Sequence, residues 1–187
     1  LDILPIVQLL PLPFEVTARP QLKTLIHFDF KGDRWDVVRA DTREEEEHFD
    51  APVRIRRNGR PVRDVRCEDW AGAARLLRWP FAGPFFAIRF YSGAGLGVGT
   101  QFFTIRNRQP VLVVKTEGEV GGPEFWFKSP ARMVFDNYDY YNHWDKGGSP
   151  SEFLVYAIQK NGQAKLIRAI PDPKNRRIHD YVEEGRP

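Results

Sequence analysis

Between Pro84 and Asp172 the chain offers seven β-prone runs, and no more than nine residues separate any one from the next. They are PFFAIRFYSG (84–93), TQFFTIRN (100–107), QPVLVVKTEG (109–118), PEFWFKS (123–129), ARMVFDNYDYY (131–141), SEFLVYAIQ (151–159) and AKLIRAIPD (164–172). A parallel sheet needs a crossover of a dozen or more residues between strands, usually a helix, and these gaps have no room for one. The chain is therefore expected to run as an antiparallel meander.

The first third repeats the pattern. QLKTLIHFDF (21–30) and RWDVVRADT (34–42) flank a glycine-containing turn, with Leu25, Trp35 and Val37 on a shared face. VRIRRNGRPVRDVR (53–66) is the clearest hairpin, because Asn58-Gly59 suits the positive φ angles of a type I′ turn and Val53 and Ile55 alternate with Arg54 and Arg56. A second Asn-Gly pair falls at Asn161-Gly162. The connection TREEEEHFD (42–50) has capping-box spacing at Thr42 and Glu45, but its four consecutive glutamates repel one another, so a solvated loop is expected.

Two segments read as helical. In CEDWAGAARLLRWP, Trp70, Ala74 and Leu77 recur at helical spacing, with acids in the first turn, arginines in the last and Pro80 as the stop. This predicts one short helix over about 68–79. In the tail, Asp172 as N-cap and Pro173 at the first helical position predict a marginal C-terminal helix. Its arginines sit near the positive end of the dipole and its glutamates near the negative end, which opposes it.

The fold class expected is mainly β: a single antiparallel β-sandwich or barrel built from hairpins, plus these two helices. Residues 1–20 are expected to be an extended N-terminal arm on a single β-rich domain, 21–187. Pro5, Pro11 and Pro13 break the apolar stretch of the arm, which is too short and kinked to span a bilayer. The alternative fold is a small β-propeller-like repeat. Turn asparagines at Asn58, Asn107 and Asn161 recur at a spacing close to one propeller blade.

Composition agrees with a β protein. Aromatics make up 13% of the residues, with 14 Phe and 5 Trp, while 15 Gly and 15 Pro supply turns. A net charge of +3 from 28 basic and 25 acidic residues singles out no partner. Nucleic-acid binding through the arginines of 53–66 is the minor reading, since arginine is common on the wet face of a sheet. The one cysteine, Cys67, excludes an intramolecular disulfide and a cysteine-based zinc site, and its acidic neighbours oppose a reactive thiolate. The chain is expected to be soluble, and periplasmic or secreted if a leader was removed ahead of residue 1.

The best chemical lead is DNYDYYNHWD (136–145). If 131–141 is a strand, alternation divides the carboxylates of Asp136 and Asp139 between two faces, which weakens a calcium cage. The EF-hand order is absent, no zinc pattern links His27, His48, His143 and His179, and no metal or cofactor is expected. What remains is an aromatic-acidic edge, with Asp139, Asn142, His143, Trp144 and Asp145 as candidate ligand-binding residues. Trp144 offers a platform for a sugar face, and the polar groups pair with hydroxyls. The glycine-rich loop 92–100 lacks the Gly-Lys-Ser/Thr of a phosphate cradle and is expected to line the same edge. No catalytic motif is found. The expected function is a non-enzymatic binding or interaction protein, recognising carbohydrate or a protein partner. The alternative is a glycan-active hydrolase using an Asp/Glu pair, such as Asp139 or Asp145 with Glu124 or Glu152.

Overall fold

The computed structural model describes residues 21–41, 53–66, 70–79, 81–91, 98–118, 125–129, 131–137 and 151–174. Among them are twelve strands. The first sheet is made of β1 (Gln21–Phe30), β2 (Asp33–Asp41), β3 (Val53–Arg57) and β4 (Arg60–Val65). The second holds β5 (Trp70–Leu77), β6 (Phe85–Tyr91), β7 (Val98–Arg106) and β8 (Gln109–Gly118). The third holds β9 (Phe125–Ser129), β10 (Arg132–Asn137), β11 (Ser151–Ile158) and β12 (Ala164–Asp172). Every pairing is antiparallel, and within each sheet the strands lie side by side in chain order.

The mainly β, hairpin-built expectation holds, and none of the three sheets closes into a barrel. The arrangement is three stacked meanders rather than one pair of sheets. The spacing of the turn asparagines acquires a meaning here. Asn58, Asn107 and Asn161 each sit in the turn between the third and fourth strand of a sheet, so the period near fifty residues is one four-stranded meander.

Two apolar layers hold the stack. Trp35, Val37, Val53, Ile55 and Val65 of the first sheet meet Phe86, Ile88, Phe90, Phe103 and Ile105 of the second. The opposite face of the second sheet presents Phe85, Phe102, Val113 and Val114 to Met133 and Phe135 of the third. Because the middle sheet is buried on both faces, its strands lose the polar alternation of a half-exposed strand, and FFAIRF reads as almost continuously apolar. Aromatic rings fill the second layer. Phe85 stacks on Trp79 at 4.5 Å and on Phe102 at 5.6 Å, with Phe125 and Phe127 edge-on.

The helix expected over about 68–79 is instead strand β5. It pairs with β6 from Trp70↔Tyr91 to Leu77↔Phe85, with a bulge between Ala71 and Ala73. Helical spacing of three apolar residues is a weak preference. Here it yields to the backbone groups of β6, which need an edge partner, and to the small Ala74, which packs against the first layer. The tail beyond residue 174 lies outside the described residues, as does the arm 1–20. Asp172, taken above as a helix cap, is the buried last residue of β12.

Tyr156 lies in the second layer, edge-on to Phe135 at 5.6 Å. Burial raises its phenol above the ordinary value of 10.0. The folded state thus favours the protonated phenol, a contribution fully present below pH 10 and lost as pH climbs through the raised value. Urea midpoints measured from neutrality into the alkaline range should fall less steeply beyond pH 10 in Tyr156→Phe than in the parent.

Candidate binding cleft at the turn end

The turns that join β1 to β2, β3 to β4, β7 to β8 and β11 to β12 lie at one end of the sheets. Lys31-Gly32 has φ of 51° and 77°, Asn58-Gly59 51° and 78°, and Asn107-Arg108 49° and 59°, so all three are two-residue turns of the type I′ kind. The Asn161-Gly162 turn differs from that simple form. Its loop is closed by Gln159 N–H donating to Gln163 O at 2.8 Å, with Gly162 at φ 91°.

Asn58 has a second use. Its side-chain oxygen accepts from Arg34 N–H at 2.8 Å, its own N–H donates to Arg34 O at 2.7 Å, and its Nδ2 donates to Asp33 Oδ1 at 2.8 Å. One turn residue therefore clips the first two hairpins together. Four of the six arginines of 53–66, Arg54, Arg56, Arg57 and Arg63, make internal contacts. Arg56 pairs with Asp36 at 3.4 Å, Arg57 with Asp33 at 3.2 Å, and Arg63 donates to Pro110 O at 3.1 Å while lying over the Phe103 ring.

Where the first and second sheets part at this end, a cleft of about 1050 Å³ opens. The β1–β2 hairpin contributes Phe30, Lys31, Asp33 and Trp35, the β5–β6 connection contributes Phe81, and β7–β8 contributes Arg106, Asn107 and Arg108. Lys160 and Asn161 reach in from the third sheet. Arg106 donates to Lys160 O, and its side chain packs against Gly162, tying the second sheet to the third beside the cleft.

Asp33 and Trp35 are two apart on β2 and point to the same side. Asp33 is 7% exposed and Trp35 1%. The Oδ1 of Asp33 is engaged by Asn58 and Arg57, whereas Oδ2 has only the Arg108 guanidinium at 3.5 Å and no hydrogen bond. The indole N–H of Trp35 is buried without an acceptor. Two residues that line the cleft thus each hold a buried polar atom without a hydrogen bond, within a cationic surround of Lys31, Arg106, Arg108 and Lys160. Arg108 holds a left-handed backbone conformation that a non-glycine residue adopts at a cost of order 1–3 kcal/mol.

Asp139, Asn142, His143, Trp144 and Asp145 fall outside the described residues, as do 92–97 of the glycine loop. The strand ends from which the segment after β10 leaves and returns, Asn137 and Ser151, are at the end of the third sheet away from the cleft. Asp33 carried a legible signal that composition obscured. It follows the Lys31-Gly32 turn and shares the parity of Trp35 and Val37, so it is an acid in a core-facing position. Among the described residues no three His, Cys, Asp or Glu side chains gather to hold a metal. No described helix is long and apolar enough to cross a membrane. Comparisons of the chain with protein-family models, with curated proteins and with solved structures found no match, so the site is read from its own geometry.

Proposed function

We propose that the protein is a non-enzymatic binding protein and that its turn-end cleft recognises a carbohydrate. The observation that supports this reading is that two residues lining the cleft, Asp33 and Trp35, each hold a buried polar atom without a hydrogen bond, Oδ2 and Nε1–H. A buried polar atom left without a partner costs about 1–3 kcal/mol, so a ligand supplying both partners is favoured. Sugar hydroxyls both donate and accept, and neighbouring hydroxyls on a ring meet a carboxylate and an indole N–H together. A phosphate would satisfy the indole and the arginines but would set its charge against Asp33. That contrast is the support for a neutral polyhydroxylated ligand over an anion. Phe30 and Phe81 supply apolar faces for the C–H side of a sugar ring. Asp33 is the one carboxylate lining the cleft among the described residues, whereas hydrolysis by the Asp/Glu mechanism uses two.

Calorimetric titration with a panel of neutral oligosaccharides tests the proposal, with Trp35→Phe and Asp33→Asn alongside the parent. Trp35→Phe keeps an aromatic side chain but replaces the indole by a smaller phenyl ring without the N–H. With folding checked by its melting temperature, it should weaken binding about tenfold, the worth of one hydrogen bond of about 1–1.5 kcal/mol. Asp33→Asn removes a charge-assisted acceptor and should cost at least as much. Binding that neither substitution alters, or no neutral ligand in the panel, would count against the cleft.

A further inference from the structure

The turn-end cleft is lined from all three sheets: Asp33 and Trp35 belong to the first, Phe81 and Asn107 to connections of the middle one, Lys160 and Asn161 to the third. Stacked sheets pack about 10 Å apart, so a cleft walled from the first sheet to the third spans roughly 20 Å along the stacking direction. The β7–β8 turn is tied on both sides. The Arg108 guanidinium lies 3.5 Å from Asp33 Oδ2 of the first sheet, and Arg106 donates to Lys160 O of the third. Asn107, between these two arginines, is exposed. The cleft therefore runs from Asp33 across the β7–β8 turn to Lys160. Its ends differ in chemistry. The first-sheet end holds the two buried polar atoms without hydrogen bonds, beside Phe30. At the third-sheet end the Asn161 side chain is used within its own turn, donating to Gln163 Oε1 at 2.7 Å and accepting from Gln163 N–H at 3.0 Å. The exposed Lys160 ammonium is the group left to meet a ligand there.

We propose that the cleft takes a neutral oligosaccharide of several units, laid across the three sheets with one unit at Asp33 and Trp35 and a later one at Lys160. This rests on the reading of the cleft as a carbohydrate site and adds the length of the ligand to it. At about 1050 Å³ the cleft stands at the top of the ~300–1,000 Å³ range of small-molecule sites. A single sugar ring is shorter than one layer spacing, so it covers the Asp33 end and leaves Asn107 and Lys160 to water. A chain of sugars carries hydroxyls along its whole length, and these pair with the Asn107 carboxamide and the Lys160 ammonium in turn. A long apolar ligand would strip water from both groups and return no hydrogen bond.

Ladders of gluco-, manno- and xylo-oligosaccharides, each from one unit to six, are the probes, titrated calorimetrically into the intact chain. In a ladder that binds, affinity should climb about tenfold or more over the first three or four units and then level off. A site for one sugar would instead gain only in proportion to the number of units a longer chain offers. Lys160→Ala is a change at an exposed position that keeps the carbonyl Arg106 uses. It should weaken the tetrasaccharide about three- to tenfold and leave the single sugar unchanged. Asp33→Asn should weaken every length. Affinity growing only in proportion to chain length, or a tetrasaccharide that Lys160→Ala leaves untouched, would overturn the proposal, and the carbohydrate reading would stand if Asp33→Asn still weakened binding. No binding at any length would overturn both.

Discussion

Phe85→Ala should lower the unfolding free energy by about 3–5 kcal/mol, the usual cost of truncating a fully buried phenylalanine. Phe85 is 0% exposed and is the hub of the second layer, stacked between Trp79 and Phe102 and capped edge-on by Phe125 and Phe127. Four rings lose their partner at once, and the rigid sheets on either side collapse onto the void only in part. Against a typical total of ~5–15 kcal/mol, the variant should sit close to its unfolding transition at room temperature. Urea denaturation followed by tryptophan fluorescence measures this. A loss below about 1 kcal/mol would mean that the contact between second and third sheets carries little of the stability.

Gly162→Ala is the second large effect, and it differs from a simple turn substitution. Gly162 has φ of 91°, where an L side chain is strained by about 1–3 kcal/mol. A Cβ there would also stand 2.6 Å from Arg106 Nε and 2.9 Å from its Cδ. The arginine can swing away, but only by abandoning Lys160 O. Gly59, at φ 78°, has nothing within 4 Å of the same position. Gly59→Ala should therefore show the backbone strain alone, and Gly162→Ala should exceed it by about 1 kcal/mol, the worth of the lost hydrogen bond. Equal costs at the two positions would show that Arg106 contributes nothing to holding the turns together.

The architecture was legible where it rests on local physics. Turn glycines and asparagines, the absence of crossover lengths and the alternation of Val53 and Ile55 all led to antiparallel hairpins. The asparagine period even marked the repeating meander, although nothing in the flanking residues announced it. What failed was the helix at 68–79, because three apolar residues at helical spacing fit an edge strand once β6 offers its backbone. Imperfect alternation in 21–30 also had a physical source, a bulge between Thr24 and Ile26 that shifts the face on which Leu25 lies. The cleft was not legible, since it is assembled by turns from all three sheets, and Asp33, Arg108 and Lys160 are far apart in the chain. Composition drew attention to 136–145 because polar and aromatic residues cluster there. Asp33 and Trp35 matter for the opposite reason, being few and each holding one buried atom without a hydrogen bond.

The ordering of strands has a further consequence for how the chain reaches its native state. Each hydrogen-bonded neighbour is also the next strand in sequence, so the sheets close only short loops and the contact order is low for a protein made of strands. A meander of this size can begin to pair before the rest of the chain is in place. A four-stranded sheet with an uncovered apolar face is marginal on its own, however, and the middle one has two such faces. The outer meanders thus act as folding partners to the central one. Slow steps should lie in docking the layers rather than in finding the register of any strand.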